Sequence, residues 1–172
     1  MASIVSGNWK NYLKFVILAG GLMMVLMMTP TSQASSPSKT FEGSTLGDST
    51  VVDIEQKGNG PLVVTAITKT IFVPGDITGD LGGPGTLVKL SNGTFRIHTT
   101  GIFVGTIDGR TGTAKFTSTV HGVDPNPFGF CCYTGPITLY DGTGGLEGLT
   151  AHGTFSNNLI DGNRYSFDVI FR

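Results

Sequence analysis

The stretch that decides the fold is Gly101–Gly122, with the sequence GIFVGTIDGRTGTAKFTSTVHG. Two runs rich in β-branched and aromatic residues flank the dipeptide Asp108-Gly109. Asp-Gly between such runs is a strong hairpin signal, because both residues tolerate the positive φ of a tight turn. After the turn, every second residue belongs to one face of a predicted half-buried strand. These residues are Ala114, Phe116, Ser118 and Val120, and the residues between them are polar. The pattern predicts an antiparallel hairpin at the centre of an all-β protein.

Further β-rich runs are separated by turn residues along the rest of the chain. They are Thr50–Gln56, Leu62–Phe72, Thr94–Ile107, Gly135–Tyr140, Leu149–Phe155 and Tyr165–Arg172. On Leu62–Phe72, one face would carry Val63, Thr65, Ile67 and Ile71. The glycine-dense segment Val73–Leu90 predicts two broken strands. Because closing a sheet needs bends, these glycines favour a closed antiparallel eight-stranded barrel over a two-sheet sandwich.

The N-terminal segment has the layout of a secretory signal peptide. Lys10 and Lys14 precede the apolar run Phe15–Met28, which is shorter than the roughly 20 residues that a membrane span requires. Ser32-Gln33-Ala34 offers small residues at the −3 and −1 positions of a cleavage site. We therefore predict a signal helix in residues 1–34 with cleavage after Ala34. An uncleaved membrane anchor is the alternative.

This interpretation divides the chain into three parts. Residues 1–34 form the signal peptide, residues 35–49 a flexible linker, and residues 50–172 a single β-barrel domain. The mature protein is predicted to be secreted, periplasmic or bound to the cell envelope, without a membrane span after signal cleavage. The sequence makes no prediction of its oligomeric state.

The charge of the mature chain argues against nucleic-acid binding. Lys10 and Lys14 account for two of the eleven basic residues, which leaves nine against twelve acidic residues and a net charge of −3. No cluster of Lys and Arg is present, and such a cluster is the usual signature of binding to phosphate backbones. No cofactor motif is found, so no cofactor is predicted.

Three blocks of sequence carry a family resemblance. They are Ile67–Thr70 followed by Gly75–Gly79, then Phe103–Thr113, and finally Asp141–Leu149 followed by Gly153–Phe155. In this order they resemble the uncharacterised microbial domain-of-unknown-function 3224 family, which is grouped with the allene oxide cyclase-like barrels. The resemblance covers roughly Leu62–Phe155 and implies an eight-stranded barrel with a small interior. It implies no mechanism, because no functional residue of the cyclases or of the related dirigent proteins matches a position here.

The two cysteines, Cys131 and Cys132, are adjacent in the loop Asp124–Tyr133. In an exported protein they predict a vicinal disulfide, which would be strained because neighbouring Cα atoms lie closer together than in ordinary disulfides. Two free thiols or pairing between chains are the alternatives. Their spacing does not suit a metal site, and no metal is predicted.

The other polar candidates are better explained as structural or surface residues. This holds for the three histidines and for acidic residues that could meet at a barrel rim: His98, His121, His152, Asp53, Glu55, Asp76, Asp80 and Asp168. Asp141–Gly145 has the glycines of a phosphate loop, but it lacks the Gly-Lys-Ser/Thr ending and is interpreted as a turn. Asn92-Gly93-Thr94 is an N-glycosylation sequon whose use depends on the host.

A stripe of aromatic residues is the most informative apolar feature. The stripe is predicted to face the barrel interior, either to fill the core or to line a cavity for one small apolar molecule. It comprises Phe95, Phe103, Phe116, Tyr165, Phe167 and Phe171. The leading hypothesis is an exported barrel that binds a small hydrophobic ligand or a partner. The alternatives are a cyclase- or isomerase-type enzyme and a structural, envelope-associated protein.

Overall fold

The structure is a computed structural model that describes residues 37–56, 58–123 and 132–172. The described residues form eight β-strands: β1 (Lys39–Gln56), β2 (Leu62–Phe72), β3 (Ile77–Lys89), β4 (Thr94–Ile107), β5 (Arg110–Val123), β6 (Tyr133–Gly144), β7 (Leu149–Asn158) and β8 (Gly162–Phe171). Each strand pairs antiparallel with the next along the chain, and β1 also pairs with β8. The eight strands are therefore hydrogen-bonded in a closed ring, which confirms the predicted all-β antiparallel fold. The predicted signal helix lies outside the described residues.

The central hairpin forms as the Asp-Gly signal predicts. Asp108 has φ of 52° and Gly109 has φ of 76°, and these two residues alone separate the paired residues Ile107 and Arg110. On β5 the predicted inward set is buried throughout, whereas Lys115 is exposed. The prediction for this hairpin is confirmed in both its turn and its buried face.

The first strand corrects the predicted linker boundary. β1 begins at Lys39 rather than Thr50, so most of the segment assigned to a flexible linker is strand. Residues Lys39–Ser44 pair with β8, and Phe41 inserts into the core with 7% of its surface exposed. The segment gives a weak sequence signal because Phe41 is its one large inward-facing residue and its neighbours are polar or glycine.

The glycine-dense segment also differs from the prediction, because β3 is one continuous strand. A Cβ at Gly79 would lie 2.2 Å from the carbonyl oxygen of Val104, and a Cβ at Gly83 would lie 2.1 Å from that of Thr100. The glycines therefore allow β3 and β4 to approach closely instead of breaking the strand. The register shifts lie elsewhere, between Val51 and Asp53 and between Thr113 and Lys115.

On β2 the predicted apolar face turns outward. Ile67 and Ile71 are 52% and 45% exposed, whereas Phe72 is buried on the opposite face. Both faces of this strand are rich in β-branched residues, so alternation alone does not identify the inner one. The pairing of Phe72 with Thr45 and Gly79 places it inside the ring.

The hydrophobic core fills one half of the ring. Its buried residues include Ile77, Ile107 and Leu146 near the end of the ring that the β6–β7 turn covers. Phe103 and Phe167 lie at the centre of the core. Inward-facing aromatic residues lie directly across from glycines on the neighbouring strand in the pairs Gly43–Tyr165, Gly122–Phe95 and Gly153–Phe167. Each of these glycines leaves the space that the facing ring occupies. The glycines thereby allow several rings to fit within one narrow ring of strands.

Candidate functional site

The other half of the ring contains an open cavity of about 360 Å³. All eight strands contribute residues to its wall. Leu81 and Phe116 belong both to the cavity wall and to the hydrophobic core, so they form the boundary between the hollow half and the packed half. The volume lies near the lower end of the range found for small-molecule sites, which is roughly 300–1,000 Å³.

One part of the cavity wall is apolar. It consists of Leu81, Ile97, Phe116, Val120 and Phe155. Three of these residues come from the neighbouring strands β4 and β5, where Ile97 pairs directly with Val120. An apolar ligand would gain from contact with this surface, because every Å² of apolar area removed from water contributes about 25 cal/mol.

A row of polar side chains lies on the strands β6, β7 and β8. Tyr133 pairs with Asn157 across β6 and β7, and Asn157 pairs with Asn163 across β7 and β8. All three side chains line the cavity. The Tyr133 hydroxyl donates a hydrogen bond to Asn163 Oδ1 over 2.9 Å. The three residues form a continuous polar row, which we call the Tyr–Asn row.

The Tyr133 hydroxyl is a neutral hydrogen-bonding group. Burial raises its pKa above the usual value of 10, and a hydrogen bond from Asn157 opposes that shift. The phenol therefore remains protonated at neutral pH. It is the one titratable side chain in the Tyr–Asn row, and it places a polar group in the cavity without adding a charge.

Two hydroxyl groups on the cavity wall donate hydrogen bonds to backbone carbonyls of the ring. Thr68 donates to the Gly83 carbonyl over 3.0 Å, and Ser118 donates to the Pro136 carbonyl over 3.1 Å. Among residues 37–56, 58–123 and 132–172, every buried side-chain nitrogen and oxygen has a hydrogen-bond partner. No fully buried polar side-chain atom of the described wall therefore needs a bound molecule as its hydrogen-bond partner.

The cavity opens where β1 and β8 separate. Their pairing extends only from Lys39 to Ser44 on β1, and from Thr45 onward β1 pairs with β2 alone. Gly47 and Ser49 line the cavity on the β1 side of this gap, and Asn163 lines it on the β8 side. The Tyr–Asn row therefore lies beside the opening, while the apolar wall extends deeper into the ring.

The six predicted aromatic residues are divided between the cavity and the core. Phe116 lies on the cavity wall. Phe103, Tyr165 and Phe167 are buried in the core, with 0%, 4% and 1% of their surface exposed. These three residues therefore do not line the main cavity, because the packed half of the ring surrounds them.

The remaining two aromatic residues lie toward the ends of their strands. Phe95 is buried near the end of the ring that carries Val123, beside a second, outer depression. Phe171 packs at the edge of the core, where the Arg110 guanidinium lies 4.1 Å from the centre of its ring. Neither residue reaches the wall of the main cavity. Sequence reasoning missed the Tyr–Asn row because these polar residues lie within turn-like segments.

The histidines lie on the outer faces of the strands. His98 Nδ1 lies 2.9 Å from Thr119 Oγ1, and His152 Nδ1 lies 3.3 Å from Thr138 Oγ1. His121 is exposed on β5. In the part of the chain that the structure describes, no group of His, Cys, Asp and Glu side chains could hold a metal ion.

The predicted acidic residues lie outside the main cavity wall. Asp80 pairs with Lys69 over 3.2 Å, and Asp168 accepts a hydrogen bond from Thr40 over 2.6 Å. Asp53, Glu55 and Asp76 are exposed. None of these five carboxylates lines the main cavity, so the alternative of an acid–base pair across its rim is not formed among them.

The cysteine pair falls at the edge of the described chain. Cys131 lies outside the described residues, as does most of the loop Asp124–Tyr133. Cys132 directly precedes β6 and has a φ of 65°. The vicinal disulfide stays a prediction.

The structure shows the positions of two turns that were identified in the sequence. Asn92 lies in the exposed turn between β3 and β4, where its Oδ1 accepts a 2.7 Å hydrogen bond from Thr94 Oγ1. The glycine-rich segment Asp141–Gly145 belongs to the end of β6 and the turn into β7. It forms no strand-to-helix phosphate loop.

The described residues thus form a closed ring of eight antiparallel strands with a half-apolar cavity in one half. The chain is similar to the crystal structure of a protein of unknown function from the DUF3224 family of Shewanella oneidensis MR-1. The alignment has a TM-score of 0.64 and 16% sequence identity, and it covers 79% of this chain and 99% of the other. The two proteins therefore share a fold.

Sequence comparisons give no match. No family model matches the chain. No curated protein matches it either. Among the described residues, no helix has the length and apolar character needed to cross a membrane.

Proposed function

We propose that this protein binds one small, largely apolar and uncharged molecule inside the ring. The observation that carries the proposal is the cavity of about 360 Å³, which joins an apolar wall to a short polar row. Ligand sites commonly combine an apolar lining with a few polar groups that fix orientation. The Tyr–Asn row contributes no charge, and the charged residues on the wall, Asp48 and Lys69, are of opposite sign, so the site suits a neutral ligand.

Two adjacent threonines on β4 provide a matched test of this proposal. Thr99 faces the cavity, whereas Thr100 is exposed on the outside of the same strand. The probe is the neutral fluorophore N-phenylnaphthylamine, whose emission rises in an apolar site. We expect the wild type to bind the probe and Thr99→Phe to weaken binding at least tenfold, because the added ring occupies the cavity.

Thr100→Phe is the control, and it should bind the probe as the wild type does. Circular dichroism establishes that both variants are folded. The proposal fails if the wild type does not bind the probe, or if Thr99→Phe binds it with unchanged affinity.

The same proposal includes export of the mature protein. The N-terminal residues 1–34 have the features of a signal peptide, and cleavage after Ala34 would leave all eight strands intact because β1 begins at Lys39. The intact mass of the exported protein should correspond to a chain that begins at Ser35. A mass that includes Met1 would contradict cleavage.

Membership of the DUF3224 family and kinship with the allene oxide cyclase-like barrels are part of this proposal. Two observations support membership: the three sequence blocks between Ile67 and Phe155, and the fold shared with the Shewanella protein. The kinship with the cyclase-like barrels is supported by the closed ring of eight antiparallel strands.

A cyclase- or isomerase-type enzyme is the second candidate. Tyr133 favours it, because a neutral phenol in a half-apolar cavity can turn its O–H from Asn163 Oδ1 to a reacting oxygen. The cavity wall holds no histidine. Binding without chemistry therefore requires fewer assumptions.

An envelope-associated role is the third candidate, and the outer face of β1–β4 supports it. Leu46 pairs with Ile71 on this face, and they are 66% and 45% exposed. Val104 and Ile102 on β4 are 51% and 45% exposed. Cosedimentation of the mature protein with phosphatidylglycerol vesicles tests this role, and Ile71→Lys should abolish it.

A further inference from the structure

The direction of the hydrogen bond in the Tyr–Asn row restricts the class of ligand that the cavity can bind. Tyr133 lies directly across from Asn157 in the pairing of β6 with β7. The Tyr133 hydroxyl donates to Asn163 Oδ1 over 2.9 Å. The donor of this hydrogen bond therefore points from β6 to β8, and the bond ends on the carboxamide oxygen of Asn163.

The amide nitrogen of Asn163 takes no part in the hydrogen bond with Tyr133. An Asn side chain has one accepting oxygen and two N–H donors. Its oxygen accepts the bond from Tyr133, and in the described part of the chain no protein group accepts a bond from its nitrogen. Asn163 lines the cavity beside the gap between β1 and β8. The row thus presents a hydrogen-bond donor at the cavity opening.

The hydrogen bond from Tyr133 strengthens this donor. A group that accepts a hydrogen bond becomes a better donor at its other end, because each bond polarises the next. The apolar wall opposite contains no group that could compete for the Asn163 N–H: Ile97, Val120 and Phe116 are hydrocarbon. A ligand oxygen at the opening would bond to Asn163 while the rest of the molecule contacts the apolar wall.

Resting on the proposed binding function, we infer that the ligand is a neutral, largely apolar molecule with a hydrogen-bond-accepting oxygen, such as a ketone, which the Asn163 carboxamide N–H binds. An anionic ligand is disfavoured because the row offers no cation and Lys69, a lysine on the cavity wall, is paired with Asp80 over 3.2 Å. A pure hydrocarbon is also disfavoured, since it would bury the Asn163 N–H without a partner.

A matched pair of fluorescent probes tests this inference. Prodan is a neutral naphthalene ketone whose emission shifts to the red when its carbonyl oxygen accepts a hydrogen bond. Its propyl analogue, in which a methylene group replaces the carbonyl, has nearly the same shape. We expect the wild type to bind prodan about tenfold more tightly than the analogue, which is the ratio that one net hydrogen bond provides.

Two variants test whether Asn163 causes the preference for prodan over its analogue. Asn163→Leu removes the whole carboxamide, and Asn163→Asp keeps an oxygen that accepts from Tyr133 but removes the N–H donors. In both variants the ratio of the two dissociation constants should fall to about one. Using the ratio cancels any general loss of affinity that the substitution causes. Bound prodan should also lose its red shift.

The outcomes separate this inference from the proposed function. If both probes bind the wild type equally, or if the preference survives in both variants, the inference on Asn163 is wrong while the binding function stands. If neither probe binds the wild type, the binding function fails, and the inference fails with it.

Discussion

At the scale of single residues, glycine decides where the aromatic side chains fit. Phe167 on β8 faces Gly153 on β7, and Phe95 on β4 faces Gly122 on β5. A Cβ at Gly153 would lie 2.6 Å from Phe167 Cδ1, and a Cβ at Gly122 would lie 2.5 Å from Phe95 Cζ. Real side chains do not approach this closely, so each ring depends on the glycine opposite.

Gly153→Ala should therefore destabilise the protein by about 1–3 kcal/mol, the usual effect of overpacking a core. The added methyl group would also lie 2.2 Å from the Ser166 carbonyl oxygen, which is backbone and cannot rotate away. Urea denaturation followed by circular dichroism measures the change in the free energy of unfolding.

Gly47→Ala is the matched control, because a Cβ there meets no atom within 4 Å. Its effect should stay within about 0.5 kcal/mol. Equal effects of the two substitutions would contradict the role given to the glycine–aromatic pairs.

At the scale of elements, the turn between β6 and β7 closes one end of the ring. Leu146 lies within this turn and is fully buried in the core, at 0% exposure. Backbone bonds fix the turn: Gly145 N–H donates to the Thr111 carbonyl over 2.8 Å, and Leu149 N–H donates to the Leu146 carbonyl over 3.0 Å. The turn is thus a part of the core rather than a surface connection.

Leu146→Ala should destabilise the fold by about 2–5 kcal/mol, because it removes a buried side chain and leaves a cavity. Leu159 provides the control, since it lies in the β7–β8 turn with 80% of its surface exposed. Leu159→Ala should change the free energy of unfolding by less than about 0.5 kcal/mol. Thermal denaturation of both variants compares them, and similar midpoints would refute the closing role of Leu146.

At the scale of the whole molecule, stability depends on closure between the first and last strands. Six consecutive residue pairs join Lys39–Ser44 on β1 to Arg164–Val169 on β8. These contacts join parts of the chain that are more than a hundred residues apart in sequence. Without them β8 would become an open edge, and the core residues Tyr165 and Phe167 beside it would lose their cover.

Truncation of the N-terminus tests the importance of closure. A chain that begins at Lys39 keeps all β1–β8 pairs and should unfold as cooperatively as the mature protein. A chain that begins at Thr45 loses those pairs together with Phe41, so it should lose cooperative unfolding or fail to fold. Dispersed amide NMR signals from the shorter chain would show that closure through β1 is not required.

Local residue chemistry accounts for the parts of the fold that were predicted correctly. Asp108-Gly109 specifies its own turn, because the positive φ of both residues is a local requirement. The alternation of Tyr165, Phe167 and Val169 on β8 identifies its inner face, since the outward neighbours Ser166 and Asp168 are polar. Such signals depend on two or three neighbouring residues, so they can be interpreted without knowing which strands pair.

The predictions that were wrong or missed have a common cause. The strands that pair with each other are distant in the sequence. Lys39–Ser44 forms a strand because β8 lies beside it, and nothing near it in the sequence indicates this. Ile67 and Ile71 face outward because the register with β1 and β3 turns Phe72 inward. The Tyr–Asn row joins residues from three strands, two of them beside turns, which only pairing brings together.

The sequence by itself determined that this is an antiparallel all-β protein of about eight strands, because turn preferences and alternation are properties of neighbouring residues. The tertiary structure alone decided which half of the ring is packed and which is hollow. Whether an inward position meets a facing glycine, a facing ring or open space depends on residues contributed by other strands, and that geometry places the Tyr–Asn row at the cavity opening.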